Sequence, residues 1–392
     1  MNFFLLSFLK AVVVAFVLLT TLAYLQWVER KVIAHIQVRL GPSRVGPHGL
    51  LQPLADVIKL ITKEDLIPPH VNKFFYLLAP FFAITMALIS ISVIPFGPAI
   101  DVFGQHTWLQ LTDLNIGLLL ILAISSMGVY GIALAGWASN NKYSLLGGLR
   151  SSAQMISYEL PLSLAVAAPL LLSNSLSLRK IVEMQSGWLI DWNILRLPAP
   201  QIVGFLLFLT AAFAETNRVP FDLPEAENEL VAGFHTEYSS MKFAAFFMAE
   251  YANMVTVSCL TTVLFLGGWQ PLFPVSAGSN YLPTVLFALA GALCLYHGFH
   301  PARRKDRYTL PVFGAVFLFI ALVFLTPAVQ AIFIPLFWFL AKAGAILFLY
   351  IWVRGTLPRF RYDQLMRFAW KVLFPVALVN LLVTGLLVAW FS

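Results

Sequence analysis

The apolar runs of this chain constrain its fold more than any other feature, because each is close to the length of a membrane crossing. A helix that spans the hydrocarbon core needs about 20 predominantly apolar residues. The sequence predicts ten such helices, at residues 3–28, 74–97, 114–136, 158–173, 199–217, 240–268, 283–299, 310–326, 335–353 and 372–391. The fourth and eighth are the shortest. We therefore expect an all-α polytopic membrane protein that forms a single membrane domain over residues 1–392.

The composition agrees with a lipid environment. Hydrophobic residues make up 60% of the chain and charged residues only 11%, whereas about a quarter of the residues in a soluble domain are charged. The formal net charge of +7 would suggest nucleic-acid binding in a soluble protein. Here the excess of basic residues lies in loops between apolar runs, so membrane topology explains it and no nucleic-acid partner is expected.

The positions of the basic residues predict the orientation of the chain. Nearly all of the 25 Lys and Arg residues lie in one set of alternate loops, at 29–73, 137–157, 218–242, 300–309 and 354–371. The other loops contain only Arg179, Lys180 and Arg196. Loops rich in Lys and Arg face the cytoplasm. The first set is therefore predicted to be cytoplasmic, and both termini are predicted to face the periplasm or the cell exterior.

The first cytoplasmic loop, residues 29–73, is predicted to contain a helix of its own. Residues 50–61 have apolar side chains at helical spacing with charged residues between them. This pattern is typical of an amphipathic helix that lies at the membrane surface or under a partner protein.

Acidic residues at membrane depth are the strongest functional signal in the sequence. Glu159, Glu215 and Glu250 lie in or at the edges of predicted helices. A charged side chain at the centre of a bilayer costs about 2.5–3.5 kcal/mol on insertion scales. These carboxylates must therefore face a hydrated interior or pair with other groups, and both settings suit proton transfer.

The loop after the fifth predicted helix, residues 218–242, is acidic. Asp222, Glu225 and Glu229 are spaced to share one face of a helix, with Glu227 between them, so like charges lie one turn apart. Carboxylates that perturb one another in this way can exchange protons near neutral pH. In the alternative interpretation, Asp222 and Glu225 form a capping box and the other acids begin a solvated helix.

Several polar residues have an ordinary interpretation beside the functional one. Glu29 and Arg30 can be interfacial charges, and Gln37 and Arg39 can be ordinary residues of a cytoplasmic loop. Lys342 is the sharper candidate, because an ammonium group in the bilayer core needs a carboxylate or water partner. Its alternative is a side chain that reaches the interface from a helix end.

The sequence contains no motif for an electron-carrying or nucleotide cofactor. It lacks GxGxxG, GxxxxGKS/T and any cysteine cluster, and Cys259 and Cys294 lie singly in apolar runs. We therefore expect no NAD, flavin or iron–sulfur cluster to be bound by this chain. Electrons, if they are involved, must arrive from a partner.

Four blocks of residues resemble the quinone-chamber membrane subunits of bacterial respiratory complex I, known as its H-subunit family, in the order of that family. The first block contains Glu29-Arg30-Lys31, Gly41-Pro42, Gly46-Pro47 and Gln52-Pro53-Leu54-Ala55-Asp56. The second runs from Gly136-Trp137 to Tyr158-Glu159, and the third from Ala214-Glu215 through Phe221-Asp222-Leu223 to Glu250-Tyr251. The fourth runs from Leu357-Pro358-Arg359 to Gln364-Leu365-Met366.

The resemblance implies a non-redox membrane subunit of the proton-translocating NADH:quinone oxidoreductase. Members of this family shape the chamber of the quinone substrate and border a hydrated acidic funnel, while FMN and the iron–sulfur clusters lie in partner subunits. The implied partners are the quinone-site subunits of the peripheral arm, the small and antiporter-like membrane subunits, and lipid. The residues implied for quinone binding are Glu29, Arg30, Gln37, Arg39, Asp56, Phe221 and Asp222. Those implied for a proton relay are Glu159, Glu215, Glu225, Glu227, Glu229 and Glu250.

The sequence departs from the family pattern at two places, and each departure leads to a prediction. Ser125-Ser126 stand where some members have another acid, so the acidic path here is expected to be one carboxylate shorter or differently hydrated. A long segment also separates Gly267-Gly268-Trp269 from the helix of Lys342. We interpret residues 270–335 as a transmembrane hairpin inserted at the periphery of an eight-helix plan.

Two other interpretations are compatible with these residues. Anchor subunits of membrane-bound hydrogenases and of ferredoxin- or F420-dependent relatives of complex I share the carboxylate blocks. A stand-alone ion transporter also uses buried acids and interrupted helices. The acids lie toward the cytoplasmic ends of the helices, and the first loop is large, which argues against the transporter.

Overall fold

The computed structural model of the chain describes residues 3–102, 105–222, 231–301 and 306–391. Its α-helices are α1 (Phe3–Ile36), α2 (Gln52–Thr62), α3 (Lys73–Ser90), α4 (Gly117–Ala138), α5 (Lys142–Ser173), α6 (Leu178–Glu183), α7 (Ile202–Glu215), α8 (Ser240–Phe265), α9 (Leu282–Phe299), α10 (Asp306–Val323), α11 (Pro327–Thr356), α12 (Tyr362–Phe368) and α13 (Phe374–Phe391). A π-helical segment, Ala369–Leu373, joins α12 to α13. Two antiparallel strands, β1 (Ala99–Val102) and β2 (Gln105–Trp108), lie between α3 and α4. Short 3-10 turns occur at Pro47–Gly49, Ile91–Val93, Leu189–Asp191, Gly233–His235, Val275–Ala277 and Ser279–Tyr281.

Eight helical stretches in the described part of the chain are long and apolar enough to cross a membrane. They are Phe4–Ile36, Lys73–Val93, Gly117–Ala138, Lys142–Ser173, Ser240–Phe265, Ser279–Phe299, Gln330–Thr356 and Tyr362–Phe391. Two shorter apolar helices, Ile202–Glu215 and Arg307–Val323, correspond to the fifth and eighth predicted runs. The predicted fold class, an all-α polytopic membrane protein, is confirmed. Each predicted run overlaps an apolar helix.

Helix α5 is much longer than its prediction. The predicted run 158–173 is only the apolar second half of a helix that begins at Lys142. In the first half, Gly148 lies against Gly136 of α4, and a Cβ added at Gly148 would be 3.1 Å from the Gly136 Cα. Close helix packing in a membrane requires small side chains, which need not be apolar. Hydropathy alone therefore misses this half of the helix.

Helix α1 continues to Ile36, well past residue 28, where its predicted run ends. Glu29 consequently lies on a packed face of a helix and is only 3% exposed. The boundary was predicted wrongly because Glu29, the first polar residue after the apolar run, is covered by other helices of the bundle. This extension places Glu29 in the interior of the molecule.

The amphipathic helix predicted within residues 50–61 is present as α2. Its second residue is Pro53, in the first turn, where proline is well tolerated. Exposed apolar side chains form one stripe along it, at Leu54, Val57, Ile58 and Ile61. An uncovered stripe of this kind suits contact with lipid or with a partner.

Helix α8 occupies the centre of the bundle. It packs against α1, α2, α3, α5, α6, α7 and α11. Its last turn is almost fully enclosed, with Val263, Leu264 and Phe265 at 0% exposure. A helix buried on all sides is apolar on all sides, so the charged residue Glu250 on α8 stands out as a group that needs a partner in the interior.

Helices α9 and α10 form an antiparallel pair. Gly291 of α9 lies against Gly314 of α10, and Gly298 lies against Pro311. A Cβ added at Gly298 would be 2.7 Å from the Pro311 Cδ, so only glycine permits this approach. A small separate core of Phe324, Ile334 and Trp338 anchors the other end of the pair. The arms thus pack as a hairpin, and its insertion into an eight-helix plan stays a prediction.

Candidate functional site

The interior of the bundle contains a cavity of about 70 Å³ between α3, α4, α5, α7 and α8. Most of its wall is apolar. Its polar lining residues are Ser90, Ser125, Glu215, Thr216, Asn217, His235, Glu250, Asn253 and Thr256. A cavity with several polar groups has both room and partners for water. Within the described ranges, no group of three or more His, Cys, Asp or Glu side chains could hold a metal ion.

Two of the residues predicted for a proton relay are held by neighbouring serines of α4. Glu215, the last residue of α7, accepts a hydrogen bond from Ser125. Glu159 of α5 accepts a hydrogen bond from Ser126. Carboxylates from two different helices therefore meet at one level of a third helix.

Glu250 belongs to a network of ion pairs around Arg218. The Nε atom of Arg218 lies 2.7 Å from Glu250 Oε1, and its Nη1 lies 3.2 Å from Glu29 Oε1. Arg354 of α11 also donates to Glu29. Arg218 is 5% exposed, and its guanidinium carbon lies 4.2 Å from the centroid of the Tyr251 ring. Buried charges persist when they are paired and hydrogen-bonded, and this pairing joins α1, α8 and α11.

The loop that carries Arg218 is fixed to α5 by one amide side chain. Gln154 Nε2 donates to the carbonyl of Ala214 at 2.8 Å and to that of Phe221 at 2.7 Å, one on each side of Arg218. Between them, Asn217 adopts a φ of 51°, a left-handed conformation that asparagine tolerates better than most residues. The clamp and the turn together direct Arg218 back into the bundle.

Phe221 and Asp222, two residues implied for quinone binding, pack against the segment after α11. Asp222 Oδ2 lies 2.9 Å from Arg359 Nη2. The Phe221 ring lies between the rings of Tyr158 and Phe360, with centroids 5.6 Å from each. Both residues are buried, so the acidic loop begins against the C-terminal loop of the chain.

The other candidates for quinone binding lie at the outer ends of α1 and α2. Arg30 Nη1 is 2.8 Å from Asp56 Oδ2, and Gln52 Nε2 donates to Asp56 Oδ1 at 3.0 Å. Gln37 Oε1 accepts a hydrogen bond of 2.8 Å from Arg39 Nε, and both side chains are exposed. A surface groove runs between Arg30 and Arg39.

His235, in the turn before α8, contributes a polar group to the cavity wall. It is buried between the rings of Phe234 and Phe243, whose centroids lie 4.9 and 5.3 Å away. Burial lowers the pKa of His235 to about 4, because an apolar environment disfavours the charged imidazolium. His235 is therefore neutral at pH 7.

The partners of Lys342 differ in kind from those that were predicted for it. Its Nζ donates to the carbonyl oxygens of Leu266, Gly268 and Gln270 at 2.6, 3.0 and 2.6 Å, and lies 3.9 Å from the centroid of the Trp192 ring. The protein partners of Lys342 are thus backbone carbonyls, and not the carboxylate that was one of its two expected partners. The contact ties α11 to the turn that follows α8.

The structure gathers the described candidates into two groups. The interior group consists of Glu29, Glu159, Glu215 and Glu250, of which Glu215 and Glu250 line the cavity. The outer group consists of Arg30, Gln37, Arg39 and Asp56, and Phe221 and Asp222 pack separately. Glu225, Glu227 and Glu229 lie outside the described residues. Sequence reasoning missed the counter-charges Arg218, Arg354 and Arg359, although the position of Arg218 inside the acidic run was a usable signal.

Two carboxylates line this cavity, and one of them pairs with a buried arginine, inside a bundle of apolar helices. These features define an integral membrane protein with charged side chains in its interior. Comparisons with known proteins then identify its family. The profile of the NADH dehydrogenase family matches residues 9–385.

Named relatives narrow the family further. The NADH-quinone oxidoreductase H-subunit 1 of Solibacter usitatus is 71% identical over 389 residues, which cover 99% of this chain and 98% of that protein. The H-subunit 2 of Koribacter versatilis is 53% identical over 397 residues, with coverage of 99% and 98%. The H-subunit 2 of Geobacter metallireducens is 47% identical over 400 residues, with coverage of 99% and 97%. The chain belongs to the H-subunit family of NADH-quinone oxidoreductase, respiratory complex I, as its sequence predicts.

Proposed function

We propose that this chain is a non-redox subunit of a proton-translocating NADH:quinone oxidoreductase in the bacterial inner membrane. It shapes the quinone chamber and couples quinone reduction to proton movement through buried carboxylates. The observation that carries this proposal is the cavity, in which Glu215 and Glu250 meet hydroxyl and arginine partners inside apolar helices. The names of the relatives, all subunits of NADH-quinone oxidoreductase, support it.

In the proposed relay, each carboxylate alternates between its ionised and its protonated form as protons pass along the path. Arg218 is the fixed counter-charge. When Glu250 takes up a proton, its attraction to Arg218 weakens. The guanidinium of Arg218 then interacts mainly with Glu29. Protonation of Glu250 on α8 therefore changes the electrostatic environment of Glu29 on α1. The relay residues are Glu159, Glu215 and Glu250 in the helices and Glu225, Glu227 and Glu229 in the acidic loop.

The quinone chamber adjoins this relay at the end of α1. Glu29 of the Arg218 network directly precedes Arg30, whose pairing with Asp56 joins α1 to α2. The exposed apolar stripe of α2 suits the apolar tail of a quinone or lipid. The residues proposed to border the chamber are Glu29, Arg30, Gln37, Arg39, Asp56, Phe221 and Asp222.

Electron transfer belongs to partner subunits in this proposal. NADH is oxidised at FMN, and electrons reach the quinone through iron–sulfur clusters held by other chains. The quinone-site subunits of the peripheral arm cover the first loop, and the small and antiporter-like membrane subunits continue the proton path. In this proposal the chain positions the quinone and supplies charged side chains, and it binds no cofactor of its own.

The test uses the whole complex, purified in mild detergent through a tag on this chain and reconstituted into liposomes. Glu215→Gln removes the carboxylate but keeps the side-chain length, so proton translocation coupled to quinone reduction is expected to fall about a hundredfold. NADH oxidation by a water-soluble artificial acceptor should be unchanged, because it needs only the partner subunits. Glu183→Gln, on half-exposed α6, is the matched control.

Two outcomes would overturn the proposal. One is undiminished proton translocation by the Glu215→Gln complex. The other is ion transport by this chain alone in liposomes, with no partner subunits recovered, which would identify a stand-alone transporter.

A further inference from the structure

Two adjacent serines of α4 each contact a different half-buried carboxylate. Ser125 donates to Glu215 at the end of α7, and Ser126 donates to Glu159 on α5. We propose that both hydroxyls are positioning residues for the proton relay, and that Ser126 supports Glu159 in both of its protonation states. The inference rests on the proposed function and adds hydroxyl groups to a path otherwise described by its acids.

The helical geometry of α4 explains how two adjacent serines contact residues of two different helices. Consecutive residues of an α-helix point about 100° apart around its axis. Ser125 therefore reaches α7 while Ser126 reaches α5, and α4 holds Glu215 and Glu159 at the same level. Ser125 and Glu215 also line the cavity, whereas Ser126 does not, so the pair of serines lies at the boundary between the cavity and the packed helices.

Ser126 has two acceptors within reach of its single hydroxyl hydrogen. One is Glu159, and the other is the carbonyl oxygen of Leu122 in its own helix, at 2.9 Å. A serine hydroxyl offers one donor and two acceptor lone pairs. It can donate to only one of these oxygens at a time, so rotation about its C–O bond selects the acceptor.

This choice matches the two states of Glu159. When Glu159 is ionised, Ser126 donates to the carboxylate. When Glu159 is protonated, its O–H donates to Ser126 Oγ, and the Ser126 hydrogen turns to the Leu122 carbonyl. Every polar group then has a partner in both states, and Ser126 neither gains nor loses a proton. A buried group left without a partner is costly, so the rotation removes an obstacle to proton uptake.

Ordinary serines of the same bundle behave differently. Serines in membrane helices commonly donate to a carbonyl one turn earlier in their own helix. Ser173 of α5 does so to Pro169 at 2.9 Å, and Ser139 does so to Ala135 at 2.7 Å. Ser126 also has such a carbonyl, that of Leu122, within reach, but Ser125 and Ser126 differ from Ser173 and Ser139 because their hydroxyls contact carboxylates of other helices.

The test compares alanine and threonine variants in the complete, reconstituted complex. Ser126→Ala and Ser125→Ala delete the hydroxyl, whereas Ser126→Thr and Ser125→Thr retain it. Ser173→Ala, at the far end of α5, is the control. NADH oxidation by an artificial acceptor measures the amount of assembled complex. Proton translocation per NADH, the rate of quinone reduction and the pH profile of that rate are measured against it.

We expect Ser126→Ala to lower coupled proton translocation about tenfold, since a hydrogen bond to a charged group is lost in one state and a partner is lost in the other. Ser126→Thr should stay within about twofold of the wild type, because the hydroxyl remains. The pH profile should change in the alanine variants and not in the threonine variants. Ser173→Ala should resemble the wild type.

The outcomes separate this inference from the proposed function. If Glu159→Gln and Glu215→Gln abolish proton translocation while both alanine variants keep the wild-type rate and pH profile, the role of the serines is overturned and the relay stands. Equal losses in the alanine and threonine variants would indicate packing and also overturn it. Full translocation by the glutamine variants would overturn both ideas.

Discussion

Arg218 Nε lies 2.7 Å from Glu250 Oε1 in the centre of the bundle. The same guanidinium reaches Glu29 through its Nη1 atom, at 3.2 Å. One buried cation therefore faces carboxylates from two helices, α8 and α1. Since electrostatic interactions are strong at such distances in a medium of low polarity, a change of charge at either carboxylate is transmitted to the other through Arg218.

Removal of this cation is expected to destabilise the chain severely. Arg218→Met keeps much of the apolar length but leaves the negative charges of Glu29 and Glu250 without their shared counter-charge. Loss of one partner from a buried ion pair costs about 3–5 kcal/mol. Thermal melting of the purified complex measures the effect. The control is Arg361→Met, because Arg361 pairs with Asp363 on the surface and exposed pairs contribute about 0–1 kcal/mol. Equal melting temperatures for the two variants would contradict the prediction.

The pair of Arg30 and Asp56 is expected to influence quinone access. Its N–O distance is 2.8 Å, but Arg30 is 44% exposed, so the pair is worth about 0.2–1 kcal/mol. Arg30→Ala or Asp56→Ala should therefore raise the KM for quinone only about two- to fivefold. The exchanged pair Arg30→Asp with Asp56→Arg should recover part of the loss. Lys63→Ala, at the exposed end of α2, is the control, and an unchanged KM in both single variants would refute the role.

His235 is expected to make the stability of the fold depend on acid pH. Its pKa is lowered to about 4 by burial, below the value of about 6.5 in an unfolded chain. The unfolded chain therefore binds a proton first as the pH falls. The stability due to neutral His235 is fully present above pH 6.5 and is lost progressively toward pH 4, by about 2 kcal/mol at pH 5.

The measurement is the melting temperature of the purified complex between pH 7 and pH 5. His235→Phe fits the aromatic contacts with Phe234 and Phe243 and removes the titrating group, so its melting temperature should fall less over this range. His300→Phe, at an exposed position, should behave like the wild type. A parallel fall in all three proteins would rule out His235 as the cause.

The membrane explains why so much of the fold was predictable. A bilayer demands apolar length from every crossing helix, and that demand is visible in the sequence as ten runs. The first half of α5 was missed because Gly148 packs against Gly136 through small size, a property that hydropathy does not measure. The end of α1 was missed because Glu29 is covered by other helices, and coverage depends on residues far away in the chain.

The candidate site, like the fold, could be predicted from the sequence only in part. Glu159, Glu215 and Glu250 could be singled out because a carboxylate in a membrane is costly without a role. The partners of Glu159 and Glu215 could not, since Ser126 and Ser125 lie far from them in the chain. For Glu250, only the position of Arg218 inside the acidic run was a signal. For Lys342 the expectation of a carboxylate or water did not include backbone carbonyls. The directions of these carbonyls depend on a turn in which Gly267 and Gly268 have φ angles of 71° and 52°. Such backbone directions leave little trace in the sequence.

The hairpin of α9 and α10 is predicted to turn in the cytoplasm, because the basic cluster of residues 300–309 lies between its arms. In a background that lacks Cys259 and Cys294, His300→Cys places a single exposed thiol near this turn. A membrane-impermeant maleimide should label it in inside-out vesicles only. Ser186→Cys, in a loop predicted to be periplasmic, should show the opposite pattern and so verifies the sidedness of the vesicles. Labelling of His300→Cys in right-side-out vesicles would show that the hairpin does not return the chain to the side it left. It would then also contradict the predicted orientation of α11.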